Sequence, residues 1–200
     1  MARLLVATTN AGKLREIRHI LAGIPFELAT LGDYPPLDAP EETGRTFAEN
    51  ARAKALSYAA ATGALTVAED SGLEIDALGG LPGVESARSG GVDAAYSARF
   101  ALIEEALRAT DARRTARFVC ALAVALDGRI LFEATGVVEG LIAPEPKGEG
   151  GFGYDPIFFY PPFGCTLAEA GGAKAEVSHR GQAFRALRAF LINDDQRRAR

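Results

Sequence analysis

The 200-residue chain has no tryptophan, one methionine, two cysteines and two histidines. Cys120 and Cys165 are too few for a disulfide scaffold or a four-cysteine zinc site, and both suit a reducing cytoplasm. His19 and His179 alone do not make a histidine-rich metal centre. No stretch approaches the about 18 apolar residues of a spanning helix; the longest such run is Phe118 to Leu126. The amino terminus turns polar at Thr8, before a secretory apolar region completes itself, so a soluble cytoplasmic protein with no membrane partner is expected. Twenty-two Lys and Arg against 26 Asp and Glu leave a net charge of −4. That balance argues against a broad nucleic-acid or membrane footprint, and any bound phosphate must meet a local cationic patch.

What is present is a globular composition, 48% apolar and 24% charged, in a chain long enough to bury roughly 70% of its unfolded surface. There is no internal repeat, low-complexity tract or clear linker. One domain over residues 1–192 is expected, followed by a polar tail at 193–200.

Leu4 to Ala7 reads as a buried strand, Thr8 to Gly12 as a turn, and a helix from near Lys13 presents Leu14, Ile17 and Leu21 inward. Phe26 to Leu31 reads as a second strand. Thr46 to Glu49 spells a capping box for an alanine-rich helix that stops at Gly63. Leu65 to Ala68 is a strand running into Glu69-Asp70-Ser71-Gly72, after which Leu73, Ile75 and Ala77 alternate with acids. Tyr96, Phe100, Ile103 and Leu107 mark a helix with Asp93 as candidate cap. Two strand-like runs, Arg117 to Leu126 and Arg129 to Val138, are joined by Asp127-Gly128, a strong hairpin signal. Pro144 to Gly153 is loop, and a last helix covers Ala183 to Leu191. The fold class is α/β, one domain with a mixed sheet and flanking helices.

Four constellations could carry chemistry. Ala7 to Leu14 nearly spells a phosphate-binding loop, but Ala7 and Leu14 fail its first and last positions. Gly12, a helix N-terminus and Lys13 still suit a phosphate, and a plain strand-to-helix turn is the other reading. The acids Glu41, Glu42, Glu49, Glu69 and Asp70 either hold Mg²⁺ with help from water and substrate phosphate, or include a solvated pair and a cap. Gly148 to Asp155 spends four glycines and two aromatics in eight residues, as a ligand loop or as an ordinary one. Lys174, Ser178, His179 and Arg180 cluster at the start of the last helix, either as a cationic patch or as a cap with ordinary salt bridges. Ser178 beside His179 is no nucleophile pair, since no G-x-S-x-G elbow occurs. Cys120 reads as core.

Taken in order, Thr8-Thr9-Asn10-Ala11-Gly12-Lys13, Glu42-Thr43-Gly44 with Thr46-Phe47 and Glu49-Asn50-Ala51, Glu69-Asp70-Ser71-Gly72-Leu73, Gly151-Phe152-Gly153-Tyr154-Asp155-Pro156 and Ser178-His179-Arg180 resemble the motifs of the inosine triphosphate pyrophosphatase family. The resemblance runs from about residue 4 to 190. It implies a single domain with an elongated mixed sheet, two lobes flanking a nucleotide cleft, and a homodimer. The implied reaction turns ITP, dITP or XTP and water into monophosphate and pyrophosphate with Mg²⁺, cleansing the nucleotide pool. By the same carry-over Thr8, Thr9, Asn10, Ala11, Gly12 and Lys13 hold phosphates, Glu42 and Asp70 serve the metal, and Asp70 is the assigned proton acceptor. Ser71, Phe152, Gly153, Tyr154, Asp155, Lys174, His179 and Arg180 contact substrate.

Physical chemistry sharpens these roles. Charge grows on the pyrophosphate leaving group, where Mg²⁺ and Lys13 would stabilise it. A carboxylate bound directly to Mg²⁺ is a poor base, so Asp70 could instead orient a water. His179 and Arg180, as donors, suit a 6-keto purine. Two positions depart from the family pattern: Ser89 stands where an aromatic is usual, and Glu69 replaces a frequent Asp. A pyrophosphatase for modified pyrimidine triphosphates and a nucleotide-sensing module without hydrolysis are the competing readings.

Overall fold

Leu4, Leu5 and Val6 are buried apolar residues of the first strand, β1 (Ala2–Val6). It is paired in parallel on both sides, with β2 (Phe26–Thr30) and with β3 (Leu65–Ile75). Parallel neighbours need a crossover, supplied by α1 (Ala11–Ile20) and α2 (Phe47–Thr62). This computed structural model describes residues 2–91, 93–110 and 112–198, with side chains as far as Asn193.

Local chemistry sets the helix ends. Asn10 caps α1 by accepting from the Lys13 amide at 3.0 Å, so the helix starts at Ala11, two residues before the expected Lys13. The predicted box at α2 is present: Thr46 Oγ1 accepts from Glu49 N at 3.1 Å and Glu49 Oε2 from Thr46 N at 3.2 Å. Such a cap contributes about 1 kcal/mol. Gly63 ends the helix at φ 65°, a left-handed conformation that glycine adopts without strain.

Strand β3 differs from expectation in one respect that matters. The polar run Glu69 to Gly72 does not end the strand but lies within it, because both acids find partners in the interior.

The chain continues through α3 (Tyr96–Arg108), β4 (Thr115–Leu126), β5 (Arg129–Ile142), β6 (Phe158–Tyr160), β7 (Cys165–Thr166), α4 (Lys174–Val177) and α5 (His179–Arg198). The seven strands form one mixed sheet in the order β2-β1-β3-β4-β5-β6-β7, so the α/β class holds. Asp127 and Gly128 take φ of 49° and 72°, the paired positive angles of a two-residue hairpin turn. Ala95 precedes α3, and Asp93 lies upstream of the cap position. The last helix starts at His179 rather than Ala183 and extends through residues expected as tail; 199 and 200 lie outside the described residues. Among the described residues no helix is long and apolar enough to cross a membrane.

Two compact units share the strands β3, β4 and β5. The first (Met1–Asp70, Cys120–Gly136, His179–Arg200) is built on Leu4, Val6, Ile17, Leu21, Val67, Leu122, Val124, Phe184 and Leu187. The second (Ser71–Val119, Val137–Ser178) is built on Leu73, Ile75, Ile103, Leu107, Phe118, Val138, Ile142 and Phe158.

Candidate functional site

In the first unit the turn after β1 is organised by Asn10. Its side chain takes the Lys13 amide, its carbonyl takes the Leu14 amide at 3.0 Å, and its own amide donates to Thr8 Oγ1 at 3.2 Å. Of the first-turn amides, which have no acceptor inside a helix, those of Ala11 and Gly12 are left outside this arrangement. Thr9, Asn10 and Ala11 are exposed.

Successive residues of a strand point to opposite faces, and β3 uses this to separate its two acids. Glu69 meets Lys13 Nζ at 2.9 Å and Arg180 Nε at 3.2 Å, all on Oε1, while Cys120 Sγ lies 3.4 Å from Oε2. Arg180 Nη1 reaches Glu16 on α1 at 2.8 Å. Burial alone would raise the Glu69 pKa, but Arg180, Lys13 and Lys54 outweigh it and hold the carboxyl below the usual range. Arg180 is shifted up because Glu69, Cys120 and Glu16 outweigh the opposing effect of burial, and the Cys120 thiol is pushed well up by burial and by Glu69.

Asp70 looks the other way, toward α2. Asn50 Nδ2 donates to its Oδ2 at 3.0 Å, and Lys54 Nζ lies 3.3 Å from its Oδ1 and 2.8 Å from Glu42 Oε1. Burial raises the Asp70 pKa and Glu42 adds to this, while Lys54 and Asn50 pull against it. Glu42 and Asp70 therefore share one ammonium. Among the described residues no group of three or more His, Cys, Asp or Glu converges as a metal cage. In this unit's cluster Lys13, Lys54 and Arg180 face Glu16, Glu42, Glu69 and Asp70, which leaves one net negative charge.

Lys54 was not read from the sequence, and Asn50 only as part of a motif. Their i, i+4 spacing puts both on one face of α2, and two polar residues on an alanine-lined face were the available signal. Gly44 links the same group to the 42–44 loop, its amide donating to Asn50 Oδ1 at 2.8 Å.

In the second unit the glycine-rich loop folds around Asp155. Its Oδ2 accepts from Phe152 N at 2.8 Å and from Lys174 Nζ at 2.7 Å, and the same ammonium stands 4.9 Å from the centre of the Phe152 ring. Asp155 and Lys174 are buried, whereas Phe152 is half-buried. Gly151 at φ 71° leaves room for the Asp155 carboxylate where a Cβ would stand. Tyr154 turns inward: its hydroxyl donates to Ser86 O at 2.9 Å and its ring meets Tyr96 edge-on at 5.3 Å. Ser89, the departure noted above, hydrogen-bonds this phenol. Ser71 follows Asp70 along β3.

His179 opens α5 and is buried in the first unit, with its backbone carbonyl packed where a side chain at Gly136 would stand. The structure thus groups Lys13 with Glu69 and Arg180, Glu42 with Asp70, Asn50 and Lys54, and Phe152 with Asp155 and Lys174.

These features define a single-domain α/β protein whose mixed sheet carries charged clusters at a strand-turn-helix junction and along its third strand. The chain belongs to the Ham1 family, which its residues 4–190 match. The dITP/XTP pyrophosphatase of Exiguobacterium sp. strain AT1b is 47% identical over 191 residues, spanning 95% of this chain and 97% of the relative. That of Geobacter sulfurreducens is 47% identical over 193 residues, spanning 96% and 97%. The solved HAM1 protein from Coxiella burnetii superposes with a TM-score of 0.90 at 39% identity, covering 96% of this chain and all 100% of that one. The nucleoside-triphosphatase, dITP/XTP pyrophosphatase, of Mycobacterium abscessus gives 0.75 at 41%, covering 94% and 98%. The resemblance read from five short motifs is borne out along the chain.

Proposed function

We propose that this protein hydrolyses the non-standard purine nucleoside triphosphates dITP, ITP and XTP to monophosphate and pyrophosphate, removing them from the nucleotide pool. The observation that carries the reading is the pairing of Glu42 and Asp70 on a single cation beside the Thr8 to Lys13 turn. The names of relatives 47% identical over nearly the whole chain support the substrate class.

In this reading the Thr8 to Gly12 turn and Lys13 hold the phosphates, with the Ala11 and Gly12 amides as donors. A cluster with one net negative charge does not hold a polyanion by itself, so counter-charge must arrive with the substrate. Two carboxylates that already share a cation, with the remaining positions left to water and phosphate, fit Mg²⁺. Glu42 and Asp70 would hold it, and when bound it would neutralise charge on the leaving pyrophosphate. Asp70, fixed by Asn50 and Lys54, orients the attacking water toward the α-phosphorus and accepts its hydrogen bond. Ser71 lies next along the strand, as a further substrate contact.

The base is read by stacking on Phe152. Gly153 and Tyr154 shape that loop from behind, and Asp155 fixes Lys174. In the first unit His179 is the donor offered to a 6-keto oxygen; a 6-amino group would leave it facing another donor. Arg180, committed to Glu69 and Glu16, acts from beneath the site. A homodimer is supported by the family resemblance, and a cytoplasmic setting by two free thiols.

The test is incubation with ITP, XTP, dITP, GTP and ATP, with Mg²⁺ or with EDTA, resolving all products. Monophosphate and pyrophosphate from the first three, little from GTP and ATP, and loss of both products in EDTA are expected. Equal turnover of all five overturns the base selectivity, diphosphate with orthophosphate overturns the cut at the α-phosphorus, and tight binding without products supports a sensing module instead. Light scattering on the eluted protein decides between monomer and dimer.

A further inference from the structure

Glu69 is a fully enclosed carboxylate that touches none of the groups assigned to metal, yet two cations from distant parts of the chain converge on one of its oxygens. We propose that Glu69 is a positioning residue that fixes the Lys13 ammonium for a substrate phosphate; this rests on the reading that Lys13 meets the phosphates.

Lys13 is held at both ends. Its backbone amide is taken by Asn10 at 3.0 Å and its Nζ by Glu69 Oε1 at 2.9 Å, so the flexible four-carbon stem is fixed before any ligand arrives. Glu69 is fixed in turn by Arg180 through Nε and Nη2, each at 3.2 Å, and by the Cys120 thiol on its other oxygen. Arg180 also bonds Glu16, three residues beyond Lys13 on the same face of α1. Helix α1 is thereby tied to α5 twice, once directly through Glu16 and once from Lys13 through Glu69.

A lone carboxylate at this place would repel a phosphate. Here the charges of Glu69 and Glu16 are balanced by Lys13 and Arg180, and exposure decides which cation can meet a ligand: the Arg180 side chain is 2% exposed and that of Lys13 is 19%. Arg180 is the buried counter-ion that satisfies Glu69, and Lys13 faces the ligand. Preorganised charge of this kind costs no rearrangement when the phosphate arrives.

The test is a double-mutant cycle with Glu69→Gln, Lys13→Met and the double variant. The readouts are the affinity for inorganic tripolyphosphate by calorimetry with Mg²⁺ present throughout, kcat and KM for ITP, and the thermal midpoint. Glu69→Gln is expected to weaken tripolyphosphate at least tenfold when Lys13 is present and less than twofold when residue 13 is Met. An equal loss on both backgrounds, or no loss with Lys13 present, overturns the proposal. If Glu69→Gln does not fold, Glu69→Met combined with Arg180→Met, which removes the buried pair together, replaces it under the same criterion. Wild-type protein that binds tripolyphosphate but turns over no nucleotide would sink the pyrophosphatase reading, and the binding cycle would still decide the role of Glu69.

Discussion

Asn50 spends both ends of its side-chain amide on the site: Nδ2 donates to Asp70 at 3.0 Å and Oδ1 accepts from the Gly44 amide at 2.8 Å. One buried side chain thus fixes the orientation of Asp70 and the path of the loop that carries Glu42. Asn50→Asp keeps the shape and loses the donor, setting a second carboxylate against Asp70. An unmade buried hydrogen bond costs about 1–3 kcal/mol, so a thermal midpoint lower by roughly 3–10 °C is expected, with turnover reduced more than tenfold. Calorimetric melting and a steady-state assay check both.

Asp70→Asn retains a partner for Asn50 through its amide oxygen and removes the charge that would orient water. Turnover should fall by about 10²–10⁴-fold, the range for a positioned acid or base, while the circular dichroism spectrum stays that of the wild type. Undiminished product formation would remove Asp70 from the reaction.

Lys54 and a divalent cation compete for the same two carboxylates. Removing a neighbouring charge about 4 Å away relieves about 1 kcal/mol of repulsion even at the dielectric constant of bulk water. Lys54→Met should therefore bind Mn²⁺ about fivefold more tightly in the absence of nucleotide, and Glu42→Gln less tightly. Titration followed by electron paramagnetic resonance reads both.

Phe152→Ala removes the half-buried ring of the glycine-rich loop. Base stacking is worth about 1–3 kcal/mol, so KM for ITP should rise at least about fivefold with a smaller effect on kcat. A fall in kcat alone would place the ring outside base recognition.

Gly136→Ala would drive a methyl group into the His179 carbonyl at the start of α5. Overpacking of this kind costs about 1–3 kcal/mol or more. A clear drop in the urea midpoint with an unchanged slope is the expected outcome.

Features written in neighbouring residues were legible in the sequence. The box from Thr46 to Glu49, the Gly63 stop and the Asp127-Gly128 turn each depend on a few consecutive side chains, and each is found as read. The run through Glu69 and Asp70 resembled a strand end because acids in a strand interior are costly unless paired. Their pairing comes from Lys13, Lys54 and Arg180, and no local pattern shows a partner more than a hundred residues away. The Arg180 ion pair was hidden for the same reason: its acceptor Glu16 lies at the other end of the chain. Tyr154 shares a motif with Phe152, and only the Ser86 carbonyl and Tyr96 ring turn it inward.

Oxidants and alkylating agents attack thiolates, not thiols. Burial, with the carboxylate of Glu69 3.4 Å away adding to it, keeps the Cys120 sulfur in its protonated form deep in the first unit. Cys165 is only half-buried. Thiol chemistry on this chain is thereby steered away from the anchor of Lys13 and toward a sulfur on the last strand of the sheet.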